Sequence, residues 1–146
     1  MSSCSIQSDG TAEHDQKVQI NLNDAPASPV TLSEVVELFV LGGNKTELQR
    51  ETMGQKIIGS RVSWSFKVYE VAREGEQYRV MSEMISSSQP NAFGKLTVIA
   101  FLNPRNLNDE QILLKLETGK QVKVRGVVDS INLRSLVVLS PAELVD

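Results

Sequence analysis

Apolar and polar positions alternate along the last third of the chain. From residue 121 to residue 125, valines alternate with Gln, Lys and Arg side chains, which is the period of a β-strand with one buried face. Gly126 interrupts the alternation, so we expect a bulge or a sharp bend of the strand there. After a polar turn over residues 130–134, the apolar run Leu136–Leu139 predicts a paired strand. The two strands together are typical of the closing strands of a small β-barrel.

Three earlier strands show the same period. Apolar side chains take every second position from Val62 to Val68, and Glu74-Gly75 predicts a hairpin turn into a second strand. Tyr78 and Val80 continue the buried face on that strand, and Leu96–Leu102 is the third. The apolar faces of these strands and of the closing pair predict one core, which contains Trp64, Val80, Val98, Val124 and Val138.

The sequence ahead of the first strand predicts a helical arm. Thr31 and Glu34 have the spacing of a capping box, and apolar residues follow at helical spacing. Asn44 and Glu47 have the same spacing and predict a second, more polar helix. Because the apolar stripe of the first helix needs a partner, we expect the arm to pack against one end of the barrel.

A further helix is predicted between the third and fourth strands. Asn108 and Gln111 have the spacing of its N-terminal capping box, and Gly119 marks its end. Leu113 and Leu116 are expected to face the core.

The order of elements is therefore three strands, a helix and two strands. This order predicts a mainly β protein with helices, built as a five-stranded Greek-key barrel of the OB-fold type (β-β-β-α-β-β) and preceded by the N-terminal helical arm. We expect a mobile polar leader over residues 1–29, the arm over residues 30–55 and the OB-fold domain over residues 56–146.

Two short motifs carry a resemblance to a known family. They are IGSRVSW at residues 58–64, which opens the first strand, and GKQVKVRG at residues 119–126 in the fourth strand. Together with the preceding helix, they make residues 56–144 similar to the OB-fold domains called tRNA-anticodon-like (tRNA_anti-like), a group of mostly small bacterial proteins. The resemblance implies the OB-fold and, by analogy, nucleic-acid binding.

The composition bears on the distribution of charge along the chain and on the location of the protein in the cell. With 40% hydrophobic and 23% charged residues, the chain is typical of soluble globular proteins, and no apolar run approaches the roughly 18 residues of a membrane-spanning helix. Residues 1–55 carry a net charge of −5 and residues 56–146 one of +2. The sequence favours a cytoplasmic protein. The alternative, if residues 1–3 are not native, is an exported lipoprotein with Cys4 as its lipid-modified first residue.

The sequence shows no catalytic constellation. His14, the only histidine, lies in the polar leader with no nucleophile nearby, and neither it nor Cys4 belongs to a motif with metal-ligand spacing. Asp109-Glu110 falls in the first turn of a helix, where negative charge complements the helix dipole. The sequence therefore predicts a non-enzymatic binding module with no catalytic residue, no metal site and no cofactor.

The candidate ligand site is the outer face of the barrel, because OB-folds bind ligands across strands two and three. Cations there would neutralise the phosphates of single-stranded nucleic acid, and exposed aromatic rings would stack on its bases. The candidate cations are Arg61, Lys67, Arg73, Arg79, Lys123, Arg125 and Arg134, and the candidate rings are Tyr69 and Phe101. The alternative is that the cations pair with Glu70, Glu74, Glu76 and Glu83, and that the barrel docks a protein partner, such as an envelope component.

Overall fold

A computed structural model describes residues 22–39, 45–88, 94–132 and 136–145. Within these ranges the chain forms the helices α1 (Leu32–Val36), α2 (Glu47–Ile57) and α3 (Leu107–Lys115). It also forms the strands β1 (Arg61–Glu74), β2 (Gln77–Ser82), β3 (Ile85–Ser86), β4 (Lys95–Leu102), β5 (Gln121–Asn132) and β6 (Leu136–Leu144). Four residues named above, Cys4, His14, Asn44 and Arg134, lie outside the described residues.

Five of the strands close into a barrel. β1 pairs antiparallel with β5 through its N-terminal half and with β2 through its C-terminal half. β2 pairs with β4, β4 pairs in parallel with β6, and β6 pairs antiparallel with β5, so the circle closes at β1. The two-residue strand β3 pairs with the start of β4. This circle, with α3 between β4 and β5, confirms the OB-fold predicted from the order of elements.

Alternate side chains of the five strands fill the barrel. The predicted core residues that are buried are Trp64, Val80, Val98 and Val124. The prediction for Val138 is wrong, because Val138 is half-buried and its neighbours Val137 and Leu139 are the buried residues of β6. A run of four apolar residues carries no alternation, so strand pairing decides which side chains point inward. Val137 lies beside the buried Val98, and Leu139 beside the buried Ala100.

Gly126 lies where two strands approach too closely for a side chain. The register between β5 and β6 shifts between Gly126 and Val128, which confirms the predicted irregularity. A Cβ atom at Gly126 would lie 2.9 Å from the Cβ of Ala142 and 3.1 Å from the Cβ of Leu139. Both distances are shorter than the roughly 3.5–4.0 Å of a favourable carbon–carbon contact. Glycine therefore allows β6 to pack directly against β5 at this point.

The arm packs against the barrel, as its apolar stripe predicted. The capping box of α1 is present: the Glu34 N–H donates to Thr31 Oγ1 at 3.2 Å, and the Thr31 N–H donates to Glu34 Oε1 at 2.9 Å. Val35 and Val36 of α1 and Ile57 of α2 are buried in the same cluster as the barrel side chains. The arm and the barrel therefore share one hydrophobic core.

Two helix caps differ from the prediction. α2 begins after Thr46, which forms its own capping box, and not after Asn44, which lies outside the described residues. α3 begins after Asn106, whose Oδ1 accepts a hydrogen bond from the Asp109 N–H at 2.9 Å, and not after Asn108. In both places two residues with capping side chains stand two positions apart. Capping chemistry alone does not distinguish between the two, because both side chains of each pair can accept a hydrogen bond from the first turn of a helix.

The last residues of the predicted leader pack on the barrel. Leu22 and Ala25 are buried against Val127 of β5. The backbone of Arg61 exchanges two hydrogen bonds with residues 26–28, at 2.8 and 2.9 Å. This part of the leader is therefore packed, and the preceding part lies outside the described residues.

Candidate ligand-binding surface

The outer face of β1 and β5 carries a ladder of polar side chains. It consists of three cross-strand pairs, which are Ser63 with Arg125, Ser65 with Lys123, and Lys67 with Gln121. The residues between them point into the core, so these six point outward; Arg125 is half-buried and the other five are exposed. We call these six residues the cationic strip.

The cationic strip contains three positive charges and no acidic residue. Lys67 and Lys123 form no ion pair with any residue that the structure describes. Arg125 donates from Nη2 to Oε2 of Glu143 on β6. Alternate residues of one strand are roughly 7 Å apart, and diagonal neighbours on paired strands about 7–8 Å. The three cations therefore span roughly 14 Å, a length over which one extended anion can contact all of them.

Tyr69 lies near one end of the strip. It follows Lys67 by two residues on β1, at a bulge where the register with β2 shifts between Val68 and Glu70. Tyr69 is 55% exposed, and its carbonyl oxygen accepts a hydrogen bond from Thr118 Oγ1 at 2.9 Å. The bulge therefore presents an aromatic ring to solvent close in sequence to a cation of the strip.

Arg79 and Phe101 lie on a different part of the outer face. They are cross-strand neighbours on β2 and β4, the strands across which OB-folds bind ligands. The guanidinium of Arg79 contacts Glu74 Oε1 at 2.5 Å and Glu70 Oε1 at 3.3 Å. Two carboxylates therefore neutralise Arg79, as the alternative interpretation of the sequence expected.

The surface beside Phe101 is apolar. Met81, Ile99 and Val138 form a row across β2, β4 and β6, and each of the three is half-buried. The face on which the sequence predicted a ligand site therefore combines an apolar row with a neutralised arginine.

Two further candidate cations have partners within the fold. Arg61 donates from Nη1 to the carbonyl oxygens of Leu22 at 3.5 Å and Asn23 at 3.3 Å. Arg73 donates from Nη2 to Tyr78 Oη at 2.6 Å, and its guanidinium lies 5.1 Å from the centre of the Tyr78 ring. These contacts hold the leader and the β1–β2 hairpin in place. Neither residue belongs to the cationic strip.

A network of ion pairs borders the strip at Arg125. Glu143 contacts Arg125 and also Arg105, whose Nη1 is 3.7 Å from Glu143 Oε2. Arg105 donates to both carboxylate oxygens of Asp109, at 2.7 and 3.0 Å. The Arg105 side-chain hydrogen bonds hold the pKa of the buried Asp109 carboxyl below its usual 3.8, despite the burial that opposes this shift. The network therefore links α3, β6 and the strip through charged groups.

Sequence reasoning did not identify the uncharged members of the strip. Alternation along β1 and β5 already marks Ser63, Ser65 and Gln121 as outward-facing, and that signal could have found them. Glu143 gave no such signal, because its contact with Arg125 depends on the register of β5 and β6.

Neither a metal-binding group of side chains nor a membrane-spanning helix occurs among the described residues. No three or more His, Cys, Asp or Glu side chains among them are grouped so that they could hold a metal ion. None of the helices in those ranges has the length and apolar character needed to cross a membrane.

Solved structures share the architecture of this chain, whereas no family model and no curated protein matches its sequence. A proposed nucleic acid-binding lipoprotein from Klebsiella pneumoniae matches with a TM-score of 0.50 and 15% identity, over 82% of this chain and 92% of that one. Asparaginyl-tRNA synthetase from Pyrococcus horikoshii matches with a TM-score of 0.44 and 16% identity, over 82% of this chain and 22% of the synthetase. At such low identity, the likeness to the Klebsiella protein shows a shared OB-fold.

Proposed function

We propose that this chain is a non-enzymatic binding module that binds single-stranded nucleic acid along the cationic strip. The observation that carries the proposal is the row of Lys67, Lys123 and Arg125 on one outer face, with no acidic residue in the strip. Phosphates of an extended strand would contact Lys67 and Lys123, whereas Arg125 is already paired with Glu143, and Tyr69 would stack on a base near one end.

The uncharged members of the strip suit the same ligand. Ser63, Ser65 and Gln121 offer hydroxyl and amide donors between the cations. Such donors bind phosphate and sugar oxygens without reading sequence. The strip would therefore hold the backbone of the strand and leave base recognition to neighbouring groups.

Two resemblances support the proposal. The Klebsiella protein that shares the fold is described as a proposed nucleic acid-binding lipoprotein. The motifs at residues 58–64 and 119–126 resemble tRNA-anticodon-like domains, and we propose that the chain belongs to that group. We place the protein in the cytoplasm; lipid modification of Cys4 is the alternative, and incorporation of a labelled fatty acid in cells would reveal it.

Fluorescence anisotropy titrations with labelled DNA homopolymers over a series of salt concentrations test the strip. Two phosphate contacts on a single strand, at Lys67 and Lys123, predict a log–log salt slope of about −1.4, since each contributes about 0.7. The double variant Lys67→Gln/Lys123→Gln should bring the slope close to zero. Its matched control is Lys56→Gln/Lys115→Gln, which removes the same charge from exposed helix positions and should leave the slope unchanged.

Substitution of Tyr69 tests the contribution of base stacking separately from that of the cations. Tyr69→Ala should weaken binding by roughly 5- to 150-fold without changing the salt slope, because stacking of one base is worth about 1–3 kcal/mol and involves no phosphate. Phe101→Ala should leave binding unchanged if the strip is the site. No detectable binding by the unaltered chain at low salt would refute the proposal.

The apolar row favours a second candidate function, a protein-interaction module. Met81, Ile99 and Val138 lie side by side across three strands, and Phe101 is close to them. Half-buried apolar side chains on a sheet face suit a protein partner better than a polyanion. Absence of nucleic-acid binding would leave this as the preferred function.

A further inference from the structure

A groove adjoins the cationic strip at Lys67. Its volume is ≈ 440 Å³, and Ser65, Lys67 and Gln121 of the strip form part of its lining. The start of α1 and the segment 83–86 after β2 supply the rest. This volume falls within the roughly 300–1,000 Å³ of small-molecule sites.

Hydrogen bonds from the barrel hold the segment 83–86 in place. The Glu83 N–H donates to the Lys67 carbonyl oxygen at 2.8 Å, which ties the segment to β1. The buried Ser82 hydroxyl donates to the Glu83 carbonyl at 2.9 Å and accepts from the Val98 N–H at 2.8 Å. One side of the groove is therefore fixed to the same strand that carries the strip.

The side of the groove formed by α1 is fixed in a similar way. The Trp64 Nε1–H donates to the Val30 carbonyl oxygen at 3.0 Å, just before α1 begins. Leu32 and Ile85 line the groove and pack against the core. Met84 also lines it and is 70% exposed. The groove therefore combines two apolar side chains packed on the core with one that is largely exposed to solvent.

We infer that this groove is a subsite for a nucleobase of the strand whose phosphates lie on the cationic strip. The inference rests on the proposed function, because Lys67 belongs to both surfaces. Met84 would pack on the face of the base through its polarisable thioether, with Leu32 and Ile85 supplying apolar contact. A base is a flat apolar group with polar edges, and it matches a lining in which these side chains alternate with hydroxyl, amide and carboxylate groups.

The polar lining also assigns a preference among bases. The carboxylate of Glu83 accepts hydrogen bonds and donates none, so it suits bases with an exocyclic amino group, such as cytosine and adenine. Thymine presents only carbonyl oxygens and a ring N–H along the corresponding edge. The positive charge of Lys67 in the same groove offsets the repulsion between Glu83 and the phosphates of the strand.

Anisotropy titrations with the homopolymers of dC, dA and dT test the subsite in the full chain. The unaltered protein should bind dC roughly tenfold more tightly than dT. Glu83→Gln should bring that ratio close to one, because the amide group that it introduces both donates and accepts. Met84→Ala should weaken the binding of all three by roughly two- to tenfold and keep the salt slope. The control Glu76→Gln removes the same charge at the exposed β1–β2 hairpin and should keep the ratio.

The outcomes separate the subsite from the strip. The subsite is overturned if the unaltered chain binds all three homopolymers equally and the Met84→Ala variant binds them with the same affinity as the unaltered chain. That result would leave the proposed function intact. If both Glu83→Gln and Glu76→Gln lose the preference for dC over dT, the preference comes from the overall charge of the protein. That result would overturn the subsite. If the unaltered chain binds none of the homopolymers, both inferences are wrong. Circular dichroism melts of each variant confirm that a loss of affinity does not reflect unfolding.

Discussion

Trp64→Ala removes the side chain that joins the barrel to the arm. Trp64 is 3% exposed in the core, and its Nε1–H donates to the Val30 carbonyl oxygen at 3.0 Å. Truncating a buried Trp to Ala costs about 3–5 kcal/mol through lost apolar burial and the cavity that remains. A Val30 carbonyl left without its donor adds a penalty of about 1 kcal/mol or more. We therefore expect the free energy of unfolding to fall by about 4 kcal/mol or more.

Trp64→Phe separates the two contributions. It keeps a large apolar ring but lacks the N–H, so we expect a smaller loss, about 1–3 kcal/mol. Urea unfolding followed by far-UV circular dichroism measures both variants, because each lacks the only tryptophan of the chain. A loss below about 1 kcal/mol for Trp64→Ala would show that the residue is not packed in the core as described. A Trp64→Phe variant as stable as the unaltered chain would show that the contact to Val30 contributes nothing.

Two further predictions concern stability. Gly126→Ala should lower the free energy of unfolding in urea by about 1–3 kcal/mol, because its Cβ would lie 2.9 Å from that of Ala142. The control is Gly54→Ala in α2, where the nearest contact of the new Cβ is at 3.7 Å; it should raise the free energy of unfolding by about 0.5–1 kcal/mol. Equal effects of the two would contradict the close approach. Asp109→Asn should destabilise at neutral pH, since Arg105 lowers the pKa of Asp109 and the resulting stability is present above its usual 3.8. That stability is lost as pH falls through the lowered pKa, so the free energies of unfolding of the variant and the unaltered chain should converge below about pH 4. A difference between them that stays constant down to about pH 2 would contradict this prediction.

Local patterns in the sequence were enough to predict the architecture. The alternation around Trp64 depends on one strand having one buried face, and that is a property of the strand alone. The Thr31 capping box likewise involves residues three positions apart. The order of these elements then led to the OB-fold, since few closed arrangements accommodate three strands, a helix and two strands.

Strand pairing decided what local patterns left open. Val138 faces outward because the β4–β6 register places Val137 and Leu139 beside buried residues. A continuous apolar run does not show which of its side chains face the core. Two distant stretches of sequence supply the cations of the strip, and the β1–β5 register brings Lys67 and Lys123 onto one face. Arg79 lies on another part of the barrel, where it pairs with Glu70 and Glu74. Side-chain direction follows from the period of a single strand, but the neighbours of a charge follow from strand pairing, which in the strip joins residues more than fifty positions apart. For that reason the sequence determined which cations point outward, and only the tertiary structure decided which of them form a site.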